Sequence, residues 1–244
     1  MSDSPDLPLS VVVPVYNERD NIEPLLAEIA AALRGYTAFE IVYVDDASND
    51  DTLAVLQAAR ARFPELRMLV HRHRAGQSTA VYNGVRTARG QWIATLDGDG
   101  QNDPADIARL LKARADAPPS VKLLAGWRTT RRDSLGKRLS SKIANGVRAR
   151  LLRDATPDTG CGLKLFERRM FLELPYFDHM HRFLPALVRR HGHECRSVPV
   201  GHRPRTRGVS KYGMWNRLWV GLADLRGVAW LMRRTRLTAA DELR

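Results

Sequence analysis

The sequence predicts an α/β fold built on a mostly parallel central sheet. Between residues 9 and 126, short apolar runs rich in β-branched residues alternate with segments whose apolar residues recur every three or four positions. The short runs fit buried strands, and the periodic segments fit helices with one apolar face. Strand, helix and strand repeated in this way predict a parallel sheet that helices cover on both faces.

The strands can be assigned first. LSVVVPV and FEIVYV predict the first two, LRMLV and QWIATL the next two, and VKLLAG the last, which places them at residues 9–15, 39–44, 66–70, 91–96 and 121–126. The ligand of such a sheet lies beyond the carboxyl ends of its strands. Three loops are therefore expected in one crevice: PVYNERD, DDASNDD and DGDGQNDP.

The helices between these strands follow from periodicity and capping. Ile22, Leu25, Leu26, Ile29 and Leu33 share one face of the first helix, with Asp20 and Asn21 as capping candidates before it and Gly35 as its stop. Further helices are predicted at residues 52–63, 78–88 and 104–115. Ser48, Asn49 or Asp50 is expected to cap the second helix, and Asn102 and Asp103 the fourth.

The character of the chain changes after Gly126. Residues 127–142 are crowded with Arg and Lys, which predicts a flexible basic loop that leads into a basic helix. Residues 212–236 combine apolar residues at three- and four-residue steps with arginines, which is typical of an interfacial helix, or of a helix pair broken at Gly221 or Gly227. We therefore expect a main domain over residues 1–212, with halves at 9–126 and 127–212, and a C-terminal amphipathic segment over 213–244.

The composition points to an anionic partner. The chain carries a formal net charge of +12, which suits nucleic acid, anionic lipid or phosphorylated substrates. Its two cysteines match neither a disulfide framework nor a zinc spacing, which favours a reducing cytosolic setting. The N-terminus lacks the features of a signal peptide, and no segment is apolar for long enough to cross a bilayer.

The stretch LDGDGQNDP is the strongest candidate for chemistry. Asp97 and Asp99 flank Gly98 at the end of a predicted buried strand, so both carboxylates can turn toward one cation. Mg²⁺ and Mn²⁺ prefer carboxylate oxygen and share their remaining positions with phosphates. The alternative is a polar turn, because Asp-Gly pairs are common turn formers.

The other two loops offer groups for a nucleotide. A carboxylate of Asp45 or Asp46, after the second strand, can accept hydrogen bonds from a base or ribose. Tyr16 can lie against a base, and Glu18 can orient a ribose or a neighbouring basic residue. Each is an ordinary loop residue on its own, and the shared position at one rim is the better evidence.

Four motifs in this order resemble one family. PVYNE, VDDASNDDT, LDGDGQNDP and RTRGVSKY, between Leu9 and Tyr212, are similar to the family 2 glycosyltransferases, and within them to the dolichol-phosphate mannosyltransferase-like, or polyprenyl-phosphate, group. The resemblance implies a GT-A (Rossmann-like) fold over residues 1–212. The usual acidic motif of the family has alanine between the aspartates and leucine before the glutamine, where this chain has Gly98 and Gly100.

The resemblance also implies roles for individual residues. It implies a nucleotide-sugar site with Pro14, Tyr16, Glu18, Asp45, Asp97, Gly98 and Asp99, and a Mg²⁺ or Mn²⁺ site with Asp97, Asp99 and Gln101. Arg205 and Lys211 would contact donor or acceptor phosphates, and with Asp99 they are the catalytic candidates. Arg128, Arg138 and Ser141 are further acceptor-phosphate candidates, and DTGCGLKLF is assigned a structural or sugar-side role.

The implied reaction is transfer of a hexose from a UDP- or GDP-sugar to a polyprenyl phosphate, with inversion at the anomeric carbon. The acceptor phosphate is already ionised, so no general base is required. We expect a peripheral enzyme on the cytoplasmic face of a membrane, with no nucleic-acid partner. The alternatives are a family 2 enzyme with a saccharide or other lipid acceptor, a basic nucleic-acid-binding module, and an inactive scaffold.

Overall fold

The computed structural model describes residues 7–129, 146, 148, 150–152, 154, 156–204 and 214–234, the last group as backbone alone up to residue 220. Seven strands form one sheet in the order β3-β2-β1-β4-β6-β5-β7. The strands are β1 (Leu7–Val15), β2 (Phe39–Asp45), β3 (Leu66–Val70), β4 (Gly90–Thr95), β5 (Val121–Arg128), β6 (Lys164–Glu167) and β7 (Glu194–Val200).

The helices cover both faces of this sheet. They are α1 (Arg19–Leu33), α2 (Thr52–Ala59), α3 (Gln77–Thr87), α4 (Asp106–Ala115), α5 (Arg168–Leu172), α6 (Leu184–Arg190) and α7 (Met214–Met232), with a short 3₁₀ turn at Met180–Arg182. The described residues between 146 and 152 are also helical, where a basic helix was predicted. Of the basic loop predicted at residues 127–142, Trp127 and Arg128 instead belong to β5, because the pairing of β5 with β7 continues to Arg128, and residues 130–142 lie outside the described residues.

The sheet is mostly parallel, as predicted. β1 pairs in parallel with β2 and β4, β2 with β3, and β5 with β7, whereas β6 runs antiparallel between β4 and β5. The carboxyl ends of the six parallel strands and the amino end of β6 therefore meet at one edge, which we call the site edge. β6 and β7 were not predicted.

The alternation of β1 divides the core into two layers. Val11 and Val13 face a layer that includes α1 and α4 residues, and Val12 faces a second layer that includes α3 and α6 residues. Every residue of β2 is buried, as expected of a strand covered on both faces. Gly84 brings α3 against the sheet, because a Cβ there would lie 2.5 Å from Val12 Cγ1.

Several element boundaries differ from the prediction. α1 begins at Arg19 after Glu18, and Asn21 is buried inside the helix, where its amide donates to Glu18 Oε2. α2 ends at Ala59, four residues early, and α4 begins at Asp106. α7 is one continuous helix, with no break at Gly221 or Gly227.

Candidate active site

The first two loops of the site edge are joined by polar side chains. Asn17, which has a left-handed backbone (φ 54°), exchanges hydrogen bonds with Asn49, and the Glu18 backbone donates to Thr52 Oγ1 at 2.9 Å. Asp45 is buried and accepts hydrogen bonds from the backbone and hydroxyl of Ser48. The loops after β1 and β2 thus form one surface that carries Tyr16, Glu18 and Asp45.

Asp46 holds a further loop against this surface. Its carboxylate accepts from the backbone of Ala75 at 2.8 Å and of Gly76 at 2.9 Å, and it contacts His71 Nδ1 at 2.7 Å. The loop then places Arg74 over the ring of Tyr16, 4.1 Å from its centroid. Sequence reasoning missed Arg74, because nothing in the local pattern joins it to a residue 58 positions earlier.

The acidic loop lies directly beside the end of β1. A Cβ at Gly98 would be 2.5 Å from Val15 Cγ1 and 3.1 Å from the Pro14 carbonyl oxygen, so glycine allows the two loops to touch. Gly100 has φ 71°, which glycine adopts without strain. Both departures from the usual motif therefore have local reasons in this chain.

Asp97 occupies a close-fitting place at the head of the acidic loop. Gln77 Nε2 donates to its Oδ1 at 2.8 Å, and Asn102 Oδ1 accepts from its backbone at 3.3 Å. A side chain at Gly162 would overlap the Asp97 carboxylate. Burial and then the nearby Asp99 raise the pKa of Asp97, while Lys164, Gln77 and Arg128 act in the opposite direction.

Asp99 and Gln101 form the outer part of the same loop. Asp99 Oδ1 accepts from the Gln101 backbone at 3.1 Å, which turns its carboxylate toward the loop it begins. Asn102, predicted as a helix cap, instead supports Asp97. Asp103 Oδ1 accepts from the Ala105 backbone at 3.0 Å, so it stabilises the turn that precedes α4.

The chain after β7 returns to this loop. The Arg203 backbone donates to the Gln101 carbonyl at 3.0 Å, and its guanidinium pairs with Asp103 at 2.8 Å and Glu28 at 2.5 Å. The Gly201 backbone donates to Asp106 Oδ2 at 2.7 Å. Residues 201–204 therefore run beside the acidic motif. Arg205 and Lys211, which follow them, lie outside the described residues.

Arg128 stands at the end of β5 in a buried ion pair. Its Nε and a terminal nitrogen contact the two carboxylate oxygens of Asp158 at 2.6 and 2.9 Å. Burial acts to lower its pKa, but the pairing with Asp158 outweighs it and the pKa is raised. Arg128 thus lies near the site edge with a charge that Asp158 already balances. Arg138 and Ser141 lie outside the described residues.

A small cavity lies behind Asp97 and brings together distant parts of the chain. Pro14, Gln77, Asp97, Gly162, Lys164 and His181 are among the residues that line it. Lys164 and His181 were missed as site residues, although Lys164 belongs to the DTGCGLKLF motif. His181 Nδ1 lies 2.7 Å from Ser78 Oγ, and burial, with nearby Lys164, lowers the pKa of His181 to about 3, so the ring is neutral.

These residues fit a divalent cation that a ligand helps to hold. Carboxylate and amide oxygens are the ligands that Mg²⁺ and Mn²⁺ prefer. No group of three His, Cys, Asp or Glu side chains able to hold a metal is found in the described part of the chain. A cation at Asp97 and Asp99 would therefore complete its shell with other oxygens, as Mg²⁺ does with substrate phosphates.

Comparison with known proteins places this chain in a family. Residues 10–174 match the family model described as Glycosyl transferase family 2. The chain belongs to this family. It is 37% identical over 232 residues to the dodecaprenyl-phosphate galacturonate synthase of Rhizobium johnstonii, which covers 93% of this chain and 68% of that protein. It is also 33% identical over 210 residues to the undecaprenyl-phosphate 4-deoxy-4-formamido-L-arabinose transferase of Edwardsiella ictaluri. That match covers 84% of this chain and 63% of that protein.

The resemblance to the polyprenyl-phosphate group is thereby confirmed, although the chain spans only about two thirds of the length of these relatives. Solved structures confirm the GT-A fold. A mannosyltransferase of Pyrobaculum calidifontis, in complex with GDP-Man and Mn²⁺, matches with a TM-score of 0.69 at 21% identity, over 96% of this chain and 66% of that one. The Mycobacterium tuberculosis glucosyl-3-phosphoglycerate synthase, in complex with Mn²⁺, UDP and glucosyl-3-phosphoglycerate, matches with a TM-score of 0.70 at 16% identity, over 93% of this chain and 80% of that one.

Proposed function

We propose that this chain is a metal-dependent, inverting glycosyltransferase that moves a hexose from a UDP- or GDP-sugar to a polyprenyl phosphate at a membrane surface. The observation that carries the proposal is the meeting of three strand-end loops, with Asp45, Asp97 and Asp99, beside the returning segment 201–204. The names of the relatives support the acceptor, since both transfer to a polyprenyl phosphate.

The donor binds along the surface formed by the first two loops. Pro14, Tyr16, Glu18 and Asp45 contact the nucleotide, and Arg74 on the ring of Tyr16 adds a positive charge where the donor phosphates approach. Asp97, Asp99 and Gln101 would hold Mg²⁺ or Mn²⁺, and Gly98 lets their loop lie against the end of β1. When bound, the cation stabilises the negative charge that develops on the leaving diphosphate.

The reaction is a single displacement. An oxygen of the acceptor phosphate attacks the anomeric carbon and forms the new C–O bond, while the bond from that carbon to the donor diphosphate breaks. The electron pair leaves with the nucleoside diphosphate, and no proton needs to move. We assign Arg205 and Lys211 to the phosphates on both sides of this displacement. Arg128, Arg138 and Ser141 are assigned to the acceptor side.

The first test is transfer of labelled sugar from a panel of UDP- and GDP-sugars to a polyprenyl phosphate with Mg²⁺ or Mn²⁺. We expect a labelled lipid that requires the metal, and we expect Asp99→Asn to lower the rate about 100-fold or more because it removes a carboxylate that would hold the cation against the leaving diphosphate. Asp116→Asn is the matched control, because Asp116 is an exposed carboxylate at the end of α4.

The outcomes separate the acceptor from the donor chemistry. Metal-dependent hydrolysis of a donor without a labelled lipid would mean that the acceptor is a saccharide or another lipid. If neither lipid labelling nor donor hydrolysis occurs with any donor, the chain is not this enzyme and the scaffold alternative returns.

Membrane contact is assigned to the exposed face of α7. Leu222, Arg226, Trp230 and Arg234 follow one another at four-residue steps and are all exposed, and the Arg234 guanidinium lies 4.7 Å from the Trp230 ring centroid. The opposite face packs on the core through Val228 and its neighbours. No described helix is long and apolar enough to span a bilayer. Exposed apolar side chains that alternate with arginines suit an anionic membrane surface, which we take to be the cytoplasmic face.

Vesicle flotation of the full chain tests this contact. Trp230→Ala should lower binding to vesicles that contain anionic lipid about threefold to tenfold, because it removes the largest exposed apolar side chain among the described residues 221–234. Tyr36→Ala is the control, since Tyr36 is 54% exposed in the loop after α1. Unchanged binding of Trp230→Ala would show that α7 is not the membrane contact.

A further inference from the structure

Lys164 is a buried cation without a role in the mechanism above. Only 4% of its surface is exposed, and its ammonium donates to the Cys161 carbonyl. It begins β6 and lies opposite Thr95, the last residue of β4, whose hydroxyl donates to the Gly162 carbonyl at 2.8 Å. A buried ammonium is costly unless its charge is used or balanced. Its position behind the acidic loop therefore calls for an explanation.

The charges around Lys164 are unevenly balanced. Lys164 lines the same small cavity as Asp97, Gln77 and His181. Of these neighbours, Gln77 and the neutral His181 carry no charge, and Asp97 is the lining residue with a carboxylate. Outside the cavity, both carboxylate oxygens of Asp158 are paired with the guanidinium of Arg128. Burial lowers the pKa of Lys164, while Cys161, Asp97 and Asp158 act against that change. Lys164 and Asp97 thus share one small cavity behind the acidic loop.

We infer that Lys164 is a fixed countercharge that makes the acidic motif select a metal–diphosphate complex over the bare metal ion. This inference rests on the proposed function. A bare divalent cation is repelled by the ammonium and meets a partly neutralised carboxylate pair. A nucleoside diphosphate with one divalent cation carries net negative charge, so the same ammonium attracts it. Lys164 is therefore a positioning residue that couples metal binding to nucleoside diphosphate binding through Asp97.

The inference predicts two effects of opposite sign when the charge is removed. In Lys164→Met, Mn²⁺ alone should bind about tenfold more tightly, and UDP or GDP at saturating Mn²⁺ should bind about tenfold more weakly. A lysine that only supports the fold would weaken both together. The opposed signs distinguish a charge effect from damage to the loop.

The experiment is a titration of the full chain at pH 8 with Mn²⁺ alone, followed by UDP and GDP at saturating Mn²⁺. It compares wild type, Lys164→Met and Lys164→Gln. The glutamine variant keeps a hydrogen-bond donor for the Cys161 carbonyl and replaces the methionine variant if that variant does not fold. Lys122→Met is the matched control. Lys122 is partly buried at the far end of β5, 2.6 Å from Glu167, and its loss should leave both affinities unchanged.

Each result decides the matter. Tighter Mn²⁺ and weaker diphosphate binding support the inference. If the Lys164 variants bind both Mn²⁺ and the diphosphate more weakly, or if neither affinity changes, the inference is wrong. The proposed function is unaffected by either result. If wild type shows no Mn²⁺-dependent binding of either diphosphate, and Asp99→Asn changes nothing, the proposed function itself fails and the inference fails with it.

Discussion

The two halves of the sheet hold their buried aspartates in different ways. In the β3-β2-β1-β4 half, Asp45 and Asp46 are held mainly by backbone N–H groups and by a hydroxyl or an imidazole. In the half that contains β6, β5 and β7, arginines pair with the buried aspartates. Arg128 contacts both carboxylate oxygens of Asp158, and Arg148 contacts the carboxylate of Asp154 at 2.8 Å. Some of the positive charge of the chain is therefore paired with aspartates inside the fold and does not face an anionic partner.

Asp158→Asn is the variant with the largest expected effect on stability. It leaves Arg128 buried with a neutral partner, and breaking a buried ion pair from one side costs about 3–5 kcal/mol of the unfolding free energy. Urea unfolding of this variant and of Glu23→Gln measures the difference. Glu23 pairs with Arg62 on the surface, where both side chains are about half or more exposed, and its loss should cost less than about 1 kcal/mol. Equal losses in the two variants would remove the contrast between the halves.

Gly98→Ala tests the junction between the loops of β1 and β4. The added methyl group would lie 2.5 Å from Val15 Cγ1, so we expect a loss of about 1–3 kcal/mol from overpacking. Val15→Ala should recover part of this loss in the double variant, because it removes the clashing atom. Gly227→Ala, which meets nothing within 4 Å, is the control and should not be destabilised. A stable Gly98→Ala protein would show that the acidic loop does not need this close approach.

The smallest effect is expected at Glu40 in the first half. Burial alone would raise its pKa, but hydrogen bonds from Ser10 and the Arg89 backbone and the pairing with Arg67 lower it. The stabilisation is therefore present above the unfolded pKa, about 4.3, and is lost as the pH falls through the folded value.

Glu40→Gln should accordingly cost about 1–2 kcal/mol at pH 7 and progressively less below pH 4. Unfolding curves at pH 7 and about pH 3.5 check this, with Glu23→Gln as the control. A cost that stays constant with pH would show that the charge of Glu40 does not matter and that only its shape does.

The first half of the fold was predictable from local pattern, and the second half was not. The β-branched strands and periodic helices up to residue 126 are strong signals, and the strand ends bring the three polar loops together by topology alone. β6 is four residues long, and its antiparallel insertion between β4 and β5 depends on tertiary contacts. β7 carries charged and partly exposed residues that weaken the apolar signal.

The same division applies to the candidate site. The aspartates were found because they follow buried strands. Gln77 and His181 were missed because their partners are 20 and 103 residues away. Arg203 belongs to the returning segment, yet only the structure shows that it contacts Asp103 and Glu28.

The absence of a side chain at Gly162 has a consequence for recognising inactive relatives. In a protein that keeps both aspartates of the acidic motif, any larger residue at this position would displace the carboxylate of the first aspartate. A motif search would count such a protein as intact, because the changed residue lies 65 positions from the first aspartate. Position 162 should therefore be read together with the acidic motif when activity is assigned from sequence.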